Sequence, residues 1–253
     1  MADITASLTW HQLIVALIGG FLPAIVWLWF WLKEDKLRPE PRTMIWQTFV
    51  LGVIAVGPAF LVQNLIAEIF KLSSNDILSL AEFDSSIGIL VLLVIITWAT
   101  VEEILKYLAA YLSAFKSVHL DEPIDIMIYL LTAAIGFAAM ENFLYVLNSL
   151  ISETGSYFLL TGNVRFISST VVHIVCSGLA GAIIALTYYS SARIKKVATV
   201  LGLILASVLH ALFNLFIIIT EGSVHGPFIV FLCLWISAVG LIILFEKVKK
   251  LSI

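Results

Sequence analysis

The stretch TWATVEEILKYLAAYLSAF, residues 97–115, sets two acids and a base among aliphatic, aromatic and small residues. Most of it is composed for a lipid environment. A charged side chain inside a bilayer costs at least a few kcal/mol, so such groups turn inward and pair with one another. Glu102, Glu103 and Lys106 therefore imply a bundle whose interior can receive them.

The rest of the chain has the same character. Of its 253 residues, 61% are apolar and 12% charged, with a mean hydropathy of +1.08. A soluble domain is about half apolar and a quarter charged. Apolar runs of spanning length fall at about 11–32, 43–70, 87–115, 124–150, 164–190, 197–219 and 226–246. The expected fold is all-α: a polytopic membrane helix bundle of about seven transmembrane helices, forming one domain over residues 1–253. A net charge of −3 without a basic cluster excludes nucleic acid as a partner. Cys176 and Cys233 lie in apolar runs and lack metal-ligand spacing. The first run is expected to remain in the membrane, because no positive n-region or small-residue cleavage site accompanies it.

Further polar residues lie inside the runs: Glu141 in GFAAMENFLYV, His173 in STVVHIVCSGLAG, and His210 with Asn214 in SVLHALFNLF. His210 and Asn214 share a helix face at i,i+4, as do Phe137 and Glu141. Glu102 and Lys106 stack in the same way, which favours Glu102 as the carboxylate that Lys106 holds; Glu103 points about 100° away. Taken singly, a membrane histidine is usually a satisfied interhelical partner, and Asn142, Gln63 and Asn64 read as packing contacts. Taken together, three carboxylates and two imidazoles on four helices satisfy one another only by meeting inside the bundle. Such a cluster is suited to proton-transfer chemistry.

These residues carry a resemblance. VEEILK (Glu102, Glu103, Lys106) resembles the EExxK motif of the PrsW family of intramembrane proteases, within the CAAX-protease-like superfamily. FAAMEN (Phe137, Glu141, Asn142) resembles that family's FxxxEN, and His173 its following histidine. EDKLRPEPR, with Asp35, Pro39, Glu40 and Pro41, is similar to the family's acidic, proline-rich loop. HALFN resembles the HxxxN of the wider superfamily. The resemblance implies proteolysis of a membrane-anchored protein, such as an anti-sigma factor, in a bacterial or archaeal cytoplasmic membrane.

Peptide hydrolysis needs an activated water, a stabilised oxyanion and a proton for the leaving amine. No GxSxG surrounds an intramembrane serine, and Cys176 beside His173 has no further support as a nucleophile. A carboxylate shielded from water is the better general base. By the resemblance, Glu102 is the expected base with Glu103 next. His173 would position water or donate a proton, His210 and Asn214 would stabilise the oxyanion, and Glu141 would orient an imidazole. No cofactor is expected; a Zn²⁺ held by His173, His210 and Glu141 is the alternative mechanism. A proton-coupled transporter or a non-enzymatic scaffold are the alternative functions, although no inverted repeat supports transport.

Counted back from the helix ends, Glu141, His173 and His210 share a depth of about 13 Å from one membrane face. Glu102 lies deeper, about 22 Å from Ile87. The third helix is therefore expected to start later, to tilt, or to be irregular above Thr97.

Orientation follows from the basic residues. Lys33, Lys36, Arg38, Arg42, Lys116, Arg193, Lys195, Lys196, Lys247, Lys249 and Lys250 fall on one side of a seven-span chain, against Lys71 and Arg165 on the other. This bias places the N-terminus outside and the C-terminus in the cytoplasm. A green fluorescent protein fused after Ile253 should fluoresce, and alkaline phosphatase there should be inactive. The opposite pair of results would reverse the topology.

Overall fold

A computed structural model of the chain describes residues 9–34, 38–70, 85–151, 155–219 and 225–251, and at 85–87, 155–167 and 227 the backbone alone. Every regular element among the described residues is an α-helix. The seven are α1 (Trp10–Glu34), α2 (Arg42–Ile69), α3 (Ser85–Ser113), α4 (Pro123–Ile151), α5 (Gly155–Ala185), α6 (Ala192–Ile219) and α7 (Gly226–Lys249). All seven are long and apolar enough to cross a membrane.

Three expectations about the helices are corrected. α5 runs Gly155–Ala185 rather than 164–190, so the depth counted for His173 from residue 164 does not hold, and the count from the helix ends no longer groups it with Glu141 and His210. Arg193, Lys195 and Lys196 belong to the first turns of α6 rather than to a connector. A helix end carries such charges readily where it projects into the aqueous interface. α3 is unbroken from Ser85 to Ser113, so the third helix neither starts late nor becomes irregular above Thr97. No proline interrupts its hydrogen-bond ladder.

α4 is the central element, with 94% of its spanning window buried and with α1, α2, α3, α5 and α7 packed around it. It starts at Pro123, whose missing N–H costs nothing in the first turn. Two residues on, Asp125 Oδ2 accepts the backbone N–H groups of Asp121 (2.9 Å) and Glu122 (2.7 Å), the reach-back of a capping box. Glycine permits the closest crossing. A Cβ on Gly52 would stand 2.2 Å from the Ala133 carbonyl oxygen, and one on Gly136 2.2 Å from that of Phe49. The backbones of α2 and α4 are therefore in mutual contact, as small residues allow in membrane bundles.

The basic connectors share one face. Arg38, between α1 and α2, pairs with Asp121 (3.8 Å) and Glu122 (3.2 Å), between α3 and α4. Tyr188, between α5 and α6, donates to the Leu120 carbonyl at 2.9 Å, and Lys249 at the end of α7 meets Glu34 at the end of α1. In the proline-rich loop, Glu40 accepts the Tyr129 hydroxyl of α4; Asp35 lies outside the described residues.

Gly136→Ala should destabilise the bundle by about 1–3 kcal/mol, because a methyl group must push two backbones apart. Thermal unfolding in detergent checks this; an unchanged midpoint would contradict the backbone contact.

Candidate active site

The buried positions of α3 run Val91, Val94, Ile95, Ala99, then Glu102 and Glu103, Lys106, Ala109 and Ala110. The charged residues thus lie on the helical stripe that faces the interior, and their neighbours along it are small or aliphatic. Glu102, Glu103 and Lys106 are 7%, 1% and 0% exposed. Lys106 does not snorkel; its ammonium is enclosed by the bundle.

The ammonium organises what surrounds it. Lys106 Nζ lies 2.6 Å from Glu103 Oε1 and 3.7 Å from Glu102 Oε2. The i,i+3 neighbour is therefore the one held tightly, against the i,i+4 expectation, because Glu103 also receives two donors from other helices. Ser177 Oγ of α5 donates to its Oε2 at 2.7 Å, and His210 Nδ1 of α6 lies 2.9 Å from its Oε1. Lys106 also donates to His173 Nδ1 at 2.7 Å.

These contacts fix the imidazole tautomers, since an ammonium only donates and a carboxylate only accepts. His173 Nδ1 accepts from Lys106, which leaves the proton on Nε2 to bind Glu141 Oε2 at 2.6 Å. His210 donates Nδ1–H to Glu103. Its Nε2 then faces Glu102 Oε2, 3.7 Å away.

Glu102 differs from Glu103. Its Oε1 accepts the Gln63 amide of α2 at 2.9 Å, while Oε2 is buried without a hydrogen bond. It lines a cavity of about 950 Å³ together with Gln63, Trp98, Glu141, His173, His210 and Asn214. Glu102, Glu103, Glu141, His173 and His210 are thus brought together, and Asn214 shares the cavity with them. Asn142 also lines the cavity and bonds Thr170 at 2.9 Å, whereas Cys176 packs in an apolar cluster of α5, α6 and α7. Ser177 joins the site without having been singled out in the sequence. It stands one turn beyond His173, a spacing that signals a shared face only once that face is known to point inward.

Glu102, His173 and His210 each offer a ligand atom within 4.8 Å of the others. Carboxylate oxygen and imidazole nitrogen suit Zn²⁺, and the Glu103 contact to His210 Nδ1 is the outer-shell partner that a ligating histidine commonly has. His210 Nε2 and Glu102 Oε2 are open to an ion. His173 has both nitrogens engaged, and Glu141 is not part of this group.

Over residues 40–242 the chain matches the family described as PrsW family intramembrane metalloprotease. It belongs to the PrsW protease family. It is 23% identical to protease PrsW of Bacillus subtilis over 216 residues, 85% of this chain and 88% of that protein. It is 26% identical to protease PrsW of Oceanobacillus iheyensis over 229 residues, 88% and 92% of the two chains. No solved structure matches the chain. The family and the seven spanning helices make it an intramembrane protease of the bacterial cytoplasmic membrane.

Lys106→Met strands the Glu103 carboxylate and should cost about 3–5 kcal/mol of stability, read by unfolding in detergent. The double variant Lys106→Met/Glu103→Gln should regain part of that loss. A double variant less stable than the single one would contradict the pairing.

Proposed function

We propose that this protease hydrolyses a peptide bond of a membrane-anchored protein with a water activated by Glu102. The observation that carries the reading is Glu102 Oε2, a buried carboxylate oxygen without a hydrogen-bond donor, in a residue that lines the cavity. Its sister oxygen accepts from Gln63, and Oε2 itself lies 3.7 Å from both Lys106 Nζ and His210 Nε2. Glu103 is a positioning residue: both its oxygens are engaged, Oε1 by Lys106 and His210 and Oε2 by Ser177.

In this reading the water gives its proton to Glu102 as its oxygen attacks the carbonyl carbon, and the oxyanion needs a donor in a low-dielectric site. The Asn214 amide can donate in any state. His210 can do so only with a proton on Nε2, because its Nδ1–H is committed to Glu103. His173, whose Nε2–H donates to Glu141, would feed a proton to the leaving amine. A membrane-bound anti-sigma factor is the substrate class that the resemblance implies. Glu141 and His210 stand ten and nine residues before the ends of α4 and α6 opposite the basic face. The scissile bond is accordingly assigned to the extracytoplasmic half.

A metal-dependent mechanism is the second reading, favoured by the three-ligand group and by the description of the family. Glu102, His173 and His210 would hold the ion, which supplies Lewis acidity, and His173 would exchange its Lys106 contact for it. Three carboxylates around one ammonium leave negative charge that either protons or a dication can balance.

Glu102→Gln should lower cleavage by orders of magnitude while the protein still inserts, since an amide cannot take the proton. Glu103→Gln should lower it comparably by releasing His210 and Lys106. Near-normal release of fragments by both would sink the glutamate reading. Extended chelation should leave cleavage intact; loss restored by Zn²⁺ alone would establish the second reading.

A further inference from the structure

The interior stripe of α2 stops half-way along the helix. Met44, Ile45, Thr48, Phe49, Gly52, Ala55, Val56 and Ala59 are buried, and no residue from Phe60 to Ile69 is. The stripe ends at Ala59, directly after Gly57–Pro58. Proline removes the N–H that would bond the Ile54 carbonyl, and a Cβ on Gly57 would meet nothing within 4 Å. The first half of α2 is locked by backbone contact at Gly52 and Gly136. The second half carries one side-chain hydrogen bond to the bundle among the described residues, Gln63 Nε2 to Glu102 Oε1 at 2.9 Å.

The cavity lies under this junction. Val56, Gly57, Ala59, Phe60 and Gln63 line it from the α2 side, and Phe60 is 60% exposed on the lipid-facing surface. A helix with side chains is about 10–12 Å across. The open cavity, about 950 Å³, is comparable in volume to about two turns of such a helix, so only a short part of a ~30 Å span lies within it at one time.

Building on the proteolytic reading, we propose that residues 60–69 of α2 form a lateral gate, hinged at Gly57–Pro58 and latched by Gln63 on Glu102, through which a locally unwound stretch of a substrate's membrane segment enters. A segment that bends or breaks fits the cavity; a continuous helix does not. Opening the gate moves the Gln63 amide away from Glu102 and closing restores it, so the hydrogen bond that orients the base re-forms once substrate is inside. The substrate class this selects is a membrane segment with glycine or proline at the depth of the site.

Two measurements test the gate. Spin labels at Leu65 on α2 and Leu212 on α6, both lipid-exposed, should give one narrow distance distribution in the parent protein. Gln63→Ala should raise the longer-distance population about tenfold or more, as expected for loss of one hydrogen bond to a charged group. Pro58→Ala should suppress that population in the Gln63→Ala background. A distribution that neither substitution moves overturns the gate. In the second measurement, a photocrosslinker at Phe60 is offered two synthetic membrane-spanning leucine–alanine peptides, one of them interrupted by a Gly–Pro pair. Preferential capture of the interrupted peptide is expected, and equal capture overturns the selection for unwound segments. A gate that moves and discriminates while no fragment is ever released would count against proteolysis and leave the gate standing.

Discussion

One buried ammonium sets the terms for this structure. Lys106 has no access to solvent and is surrounded by Glu103, Glu102 and His173. An isolated charge at such depth would be untenable. α3 and α5 must therefore approach closely enough to bring His173 within hydrogen-bond distance of it, and α6 closely enough for His210 to reach Glu103. The ammonium also dictates proton positions at a distance: by donating to His173 Nδ1 it assigns the tautomer that binds Glu141. By holding Glu103 it fixes the acceptor that orients His210. Two imidazoles thus take opposite tautomers in one cluster.

The same arrangement separates two adjacent glutamates into different roles. A helix turns about 100° per residue, so Glu102 and Glu103 share a sequence motif but not an environment. Glu103 points to α5 and α6 and is fully satisfied. Glu102 faces α2 and the cavity, with one oxygen hydrogen-bonded to Gln63 and the other buried without a hydrogen bond, 3.7 Å from Lys106 Nζ. Preorganisation of this kind places a reactive group without letting it relax onto a neighbour. Its support is the rigid α2–α4 crossing, where glycine brings the backbones together.

Packing is uneven in a way that bears on access. α4 is enveloped and α5 nearly so, whereas the outer helices bury about a third or less of their spanning windows. Lipid covers the remainder, at no cost for apolar side chains. A helix can therefore leave the bundle part-way along its length with little hydrophobic loss, as α2 does beyond Ala59. In water that exposed face would have to find a partner; in a bilayer it needs none.

The sequence by itself determined the seven spans, because a bilayer demands long, uninterrupted apolar runs and the polar connectors punctuate them. It also marked Glu102, Glu103, Lys106, Glu141, His173 and His210, since charge inside an apolar run has no reason to exist except through partners. The grouping of the basic connectors was legible too, and contacts such as Arg38 with Glu122 and Tyr188 with Leu120 bear it out. What only the tertiary structure decided is who pairs with whom. Helix spacing allowed Lys106 to serve either glutamate; the donors from Ser177 and His210 settled it in favour of Glu103. Gln63 read as an ordinary packing residue, because its role depends on α2 lying beside α3, a contact between positions 39 residues apart. Local periodicity tells which face of a helix turns inward, but the identity of the group waiting there is fixed by the packing of the other helices.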